Sequence, residues 1–399
     1  MPASDMQPAA GQPGRADGAH TAGDQPASEV IRVSSPASLL AAVPVMLKFN
    51  PSEPSIVVLG TVPPRSAVAL TLRYDISSTK DADAIARHTA DLFTVQGIKT
   101  AHAVGYGPGD LVTPVADALR ARFGESGIAV PELLRVQDGR YWSYVCTDPG
   151  CCPPEGTAFN LEEHPITRKY AGHVLASREA LTAAVAPVTG DAADSMSRAT
   201  AAARRRAARI VAKAGQGSSP RAQRRALLPH GLKAVAGALD LYRAGGKFAS
   251  HKDAAWLALF LQILQVRDDA WARMLPEYRQ AHLRLWTDLT TLARPGHAAA
   301  PAALLAFCAW QDGDGALANV ALDRALADNP RYSMALLLRE ALDAGAPPSM
   351  ARLPMTPEDV AVAYALNEGA EEDDEEDDSA AAGEAAVAPA SAPLTGTLA

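Results

Sequence analysis

Apolar and polar positions first fall into a regular pattern near residue 35. In "VSSPASLLAAVPVML", Ser35 stands where a helix cap belongs, Pro36 suits the first helical position, and Pro44 ends or kinks the helix. "SIVVLG" and "AVALTLRYDI" then read as strands joined by the turn-rich "TVPPRS". "DADAIARHTADLFTVQG" spaces Ile85, Leu92 and Phe93 as inward positions of a helix that Gly97 stops. "KTAHAVGYG" reads as a strand, and "PGDLVTPVADALRARFG" holds a helix beginning near Asp110. "PELLRVQDGRYWSYVC" reads as a hairpin, because Asp138-Gly139 is a two-residue reversal. The order helix, strand, strand, helix, strand, helix, strand, strand predicts an α/β domain over 30–156, a mixed sheet with helices packed on it.

After Glu162 the strand signals stop. Helical patterns follow in "SREALTAAVA", "DAADSMSRATAAARRRAARIVAKAG", "SPRAQRRALLPHGLKAVAGALDLYRAGG", "HKDAAWLALFLQILQV" and "PEYRQAHLRLWTDLTTLA", so residues 157–367 form an all-α domain. Its end, "PAALLAFCAWQDGDGALANVALDRALADNPRY", resembles a tetratricopeptide helix pair. Leu305, Ala306, Ala318, Leu322, Ala325 and Pro330 occupy expected positions, and Gly313-Asp314 fills the turn. No second copy lies upstream, and about three repeats make a stable array. A single helical hairpin is the expectation.

Composition changes this picture at the ends. The net charge is −8, but "EEDDEEDD" (Glu371 to Asp378) with Glu384 carries −9, so the rest of the chain sums to +1. A block of like charge repels itself, which makes residues 368–399 a disordered acidic tail by expectation. Residues 1–29 read as a disordered leader with neither the basic nor the apolar region of a secretory signal. The longest apolar runs, "LLAAVPVML" and "WLALFLQILQV", fall short of the roughly 18–20 residues that span a bilayer. A soluble, cytoplasmic protein without a membrane partner is expected, and its thiols should be reduced.

Three of the four cysteines fall inside "YWSYVCTDPGCCPPEG". Strand alternation puts Trp142, Tyr144 and Cys146 on one face. "TDPG" is turn chemistry that returns Cys151 toward Cys146. A zinc site usually pairs C-x₂₋₄-C with a second such unit or with spaced histidines. Here the spacing is C-x₄-C-C, and His164 is the only nearby imidazole that could join Cys146, Cys151 and Cys152. The metal signal is weak by spacing. A redox pair among the three thiols, or a nucleophile using His164 as base, remains open beside it. The reading that asks least is a set of buried, unreactive thiols fixing a Pro-rich turn.

Two further stretches have candidate chemistry. "VGYGPGD" sits between a strand and a helix, as a phosphate loop would, but it reads G-x-G-x-G, and Asp110 would repel phosphate. A tight turn is expected there. From Ser195 to Leu239 there are ten Lys or Arg residues and no Asp or Glu. The run includes Arg204, Arg205, Arg206, Arg209, Arg221, Arg224 and Arg225. Such a run suits phosphate contacts, yet it lacks the interleaved aromatics that stack bases. A solvated face leads, with a nucleic acid or other polyanion as an alternative partner and the acidic tail as an intramolecular one.

Together "SPASLLAAVPVMLKFNPSEPSIVVLG", "DGRYWSYVCTDPGCCPPEG" and "AWQDGDGALANVALDRALADNPRY" resemble an actinobacterial family catalogued as a domain of unknown function, family number 4192. The resemblance runs from about Val33 to Ala346, and departs from the family pattern at Lys48 and Asn50, where glycine and histidine are expected. It implies no activity, cofactor or catalytic residue. The residues favour a non-enzymatic interaction or regulatory module, with a protein partner on the helical domain. The alternatives are a thiol- or metal-dependent enzyme or redox sensor at Cys146, Cys151 and Cys152, and polyanion binding through 198–233.

Overall fold

Ser35 caps the first helix, α1 (Pro36–Leu47), reciprocally: the Ser38 N–H donates to Ser35 Oγ at 3.2 Å and the Ser35 N–H to Ser38 Oγ at 2.9 Å. The computed structural model that shows this describes residues 31–63, 67–215, 219–350 and 355–366. The leader and the acidic tail lie outside the described residues. Helix α1 does not end at Pro44 but continues to Leu47. It closes on Lys48, whose φ of 65° is the left-handed backbone that glycine adopts without cost. The glycine expected at this position therefore has a physical reason, and lysine occupies it under mild strain.

The strands β1 (Ser55–Val62), β2 (Ala67–Asp75), β3 (Thr100–Tyr106), β4 (Ala129–Gln137), β5 (Arg140–Ser143) and β6 (Thr157–Ala158) form one sheet in the order β2-β1-β3-β4-β5-β6. Only β3 and β4 run parallel; the other neighbours are antiparallel. The helix that joins the parallel pair is α3 (Gly109–Glu125), and α2 (Ala82–Val95) lies beside it. Alternation along β1 shows the layers. Ile56 and Val58 face a core with Phe93, Leu119 and Phe123, while Val57 and Leu59 face α1 and the helices beyond. Ile85, Leu92 and Phe93 are buried, and Gly97 (φ 67°) ends α2's segment, as its periodicity predicts. Asp138 (φ 49°) and Gly139 (φ 72°) form the hairpin turn that sets Gln137 opposite Arg140.

The rest of the described chain is helical: α4 (Pro165–Tyr170), α5 (Arg178–Ala184), α6 (Gly190–Ala214), α7 (Pro220–Arg243), α8 (His251–Phe260), α9 (Leu264–Ala272), α10 (Arg279–Leu292), α11 (Ala299–Gln311), α12 (Gly315–Asp328) and α13 (Ser333–Asp343). Residues 357–366 are also helical. The stretch expected as one helix through "WLALFLQILQV" is two, broken at Ile263, whose ψ of 115° is extended. Helices α11 and α12 form a helical hairpin, with Gly313 (φ 73°) in the turn and Asp314 capping α12 through the Leu317 N–H at 2.9 Å. The core is continuous from the outer face of the sheet into these helices, where Trp286, Tyr242 and Phe260 are fully enclosed. Among the described residues, no helix is long and apolar enough to cross a membrane.

Candidate thiol site

The edge of the sheet at β5 and β6 places the cysteines. Strand β5 stops at Ser143, because the Ser143 hydroxyl accepts the N–H groups of Val145 (3.3 Å) and Cys146 (3.0 Å) and turns the chain out of the ladder. Cys146 therefore does not continue the Trp142–Tyr144 strand face that alternation predicts. Beyond it Asp148 builds the reversal. Its carbonyl accepts from the Cys151 N–H at 3.1 Å and the Cys152 N–H at 2.7 Å, and its Oδ1 accepts from the Gly150 N–H at 2.8 Å. The three Sγ atoms of Cys146, Cys151 and Cys152 consequently lie within 4.8 Å of one another. The expected return of Cys151 toward Cys146 occurs. The expected burial does not: Cys151 is exposed, Cys146 and Cys152 are half-buried, and only Cys308, inside α11, is enclosed.

The thiols polarise one another. A hydrogen bond from Cys152, helped by the Asp148 backbone N–H, holds the Cys146 thiol below its usual range. The same contact pushes Cys152 up to about 12. Of the pair, Cys146 therefore gives up its proton more readily than Cys152. Burial, helped by the nearby Asp312 carboxylate, pushes Cys308 up to about 12.

The loop is pinned from both sides. Trp142 donates through Nε1 to the Pro154 carbonyl at 3.0 Å, and Arg140 Nη1 donates to the Gly156 carbonyl at 2.7 Å. Gly156 (φ 79°) permits this closure, since a Cβ there would stand 2.5 Å from the indole. The Arg135 guanidinium lies 3.7 Å over the Trp142 ring and donates to Gln137 Oε1 at 2.9 Å. Tyr144 Oη and Thr113 Oγ1 are 2.7 Å apart, and Arg120 Nη1 donates to the Tyr144 carbonyl at 3.1 Å. Strand β4 and helix α3 therefore fix the base of the thiol turn. The sequence hinted at Trp142 through its spacing from the cysteines, but Arg135, Thr113 and Gly156 gave no local signal of their role.

The structure leaves the other expected residues outside this cluster. His164 spends Nδ1 on the Ile166 N–H at 3.3 Å, capping α4. In the glycine loop, the Arg135 Nη1 donates to the Gly107 carbonyl at 3.4 Å, and Asp110 stands in the first turn of α3, consistent with a turn. The basic run divides between α6 and α7. Arg204 Nη2 sits 3.1 Å from His297 Nε2, Arg206 stacks 4.1 Å over Trp256, and Arg221 and Arg225 have partners of their own. Arg205, Arg209 and Arg224 point outward. A cavity of about 800 Å³ runs from β2 to the turn between α11 and α12. Two of its cations, Arg73 and Arg178, pair with Asp75 (2.7 Å) and Asp323 (3.6 Å).

Fold and site together define a mixed-sheet α/β unit, continued by helices, with a three-thiol turn at the sheet's edge. The chain belongs to the family described as a domain of unknown function, DUF4192, whose model matches residues 36–349. No curated protein and no solved structure matches the chain.

Proposed function

We propose that the protein is a non-enzymatic regulatory module, cytoplasmic, whose sensing element is the thiol turn of Cys146, Cys151 and Cys152. The observation that supports this is the approach of three accessible sulfurs to within 4.8 Å on a loop held by β4 and α3. A cytoplasmic setting keeps such thiols reduced until an oxidant or soft ligand arrives. A peroxide supplies the chemistry directly. The Cys146 thiolate attacks a peroxide oxygen and becomes a sulfenic acid as hydroxide leaves; a second thiol then attacks that sulfur, and water departs as the disulfide forms. Two thiols lose two hydrogens and the peroxide is reduced to water. Closing the bond to about 2.05 Å draws the loop between β5 and β6 inward and changes the sheet edge that a partner would read.

The expected result of treating the reduced, full-length protein with one equivalent of hydrogen peroxide is a loss of two hydrogens. Peptide mapping should place the new disulfide between Cys146 and either Cys151 or Cys152, with Cys308 untouched. Oxidation that stops at separate sulfenic or sulfinic acids, without a bond inside the triad, would refute the reading.

A further inference from the structure

The sulfur cluster is a donor set as well as a redox element. Its three Sγ atoms lie within 4.8 Å of one another, and among the described residues no imidazole or carboxylate joins them. His164, the one histidine that the sequence offers, is occupied at Nδ1 by the Ile166 N–H. Asp148 Oδ1 is likewise taken up by the Gly150 N–H. The set is therefore three sulfurs and nothing harder.

We propose that Cys146, Cys151 and Cys152 form a three-thiolate site for one soft cation, Cu⁺ in preference to Zn²⁺. This rests on the reading of the turn as the functional thiol site and names its ligand. Thiolate donors select soft, closed-shell ions. Zinc in protein sites takes four ligands in a tetrahedron, with sulfur at about 2.3 Å, and would need a water or a borrowed group for the fourth. Cu⁺ is satisfied by three sulfurs in a plane. Sulfurs that share one ion at that bond length stand roughly 4 Å apart, so the turn has to contract only slightly.

Two further features suit the ion. The backbone of the turn is already set by Asp148 and Ser143, so little ordering is left for the metal to supply. Arg140 and Arg120 brace the loop as well, through the Gly156 and Tyr144 carbonyls at either base. Cys151, exposed at the tip, gives the ion a way in. Because the thiols must shed their protons to ligate, affinity should rise with pH.

The test is an anaerobic titration of the reduced, full-length protein against Cu⁺ held by a coloured chelator, bicinchoninate. One equivalent should leave the chelator for the protein. Cys146→Ser, Cys151→Ser and Cys152→Ser should each abolish stoichiometric transfer, and Cys308→Ser should retain it, with circular dichroism confirming that each variant folds. A measurement without substitution guards against misfolding: bound Cu⁺ should shield the three turn thiols from iodoacetamide. A parallel titration with Zn²⁺ and a zinc chromophore should show weaker uptake. Failure to draw Cu⁺ from the chelator, or uptake that survives Cys151→Ser, would overturn the site, and Zn²⁺ bound more tightly than Cu⁺ would overturn the preference. If peroxide still closes a disulfide in protein that takes no metal, the regulatory reading stands and the metal inference alone falls. If neither occurs, both fall.

Discussion

Asp328→Ala should lower the stability of the helical part by about 2–3 kcal/mol, the larger share of it from one helix N-terminus. Helix α11 begins after Ala298, a residue whose side chain cannot cap. The cap comes instead from the last residue of α12. The Asp328 carboxylate accepts the N–H of Gly296 at 2.8 Å through one oxygen, and those of Ala298 (2.8 Å) and Ala299 (3.0 Å) through the other. A negative charge at this end also suits the helix dipole. Alanine removes both acceptor oxygens, and with them all three hydrogen bonds, from a half-buried site. Asparagine keeps one acceptor oxygen and should lose roughly half as much. Urea unfolding followed by tryptophan fluorescence reads the loss, and amide exchange at Ala298 and Ala299 locates it. A change below about 0.5 kcal/mol, the scale of ordinary surface substitutions, would mean that water replaces the carboxylate without penalty.

Acidification should cost the fold about 3 kcal/mol through His282 alone. This imidazole is fully enclosed on α10 beside Trp286. Burial, reinforced by the Arg243 guanidinium, lowers it from 6.5 to about 4. A depressed histidine contributes stability that is complete above the unfolded value and is lost as pH falls toward the folded one. The window is therefore pH 6.5 down to 4. His297, also lowered by burial, adds to the same slope. Asp314, raised by its own burial, works in the opposite direction, since its protonation favours the folded form at low pH. His282→Phe keeps the ring volume and removes the titration, so its stability should fall less steeply between pH 6.5 and 4. A slope identical to that of the wild type would show that His282 charges freely in the folded protein.

Much of the sheet was legible because its signals are local. The Asp138-Gly139 turn, the stop at Gly97 and the cap at Ser35 each act within a few residues, and each stands where the pattern put it. Strand β6 escaped because Thr157–Ala158 is too short to show any period, although it carries the sheet beyond residue 156. The break between α8 and α9 escaped for the opposite reason. A stretch apolar on every side has no polar face to lose, so the extended Ile263 leaves no mark in the pattern. At the thiol turn, the clustering of three cysteines and the reversal at Asp148 could be read directly. Their exposure could not, since it depends on Ser143 ending β5 early and on Gly156 admitting the Trp142 ring. The capping of α11 by Asp328 joins residues about thirty positions apart and has no sequence signature at all.

Three sulfurs meet at an accessible turn while the fourth is enclosed. Brief iodoacetamide treatment of the native, reduced protein, followed by peptide mapping, tests it most directly. Cys146, Cys151 and Cys152 should be labelled in the folded state, with Cys146 leading, and Cys308 only after denaturation. Protection of all four thiols until the chain unfolds would contradict the account.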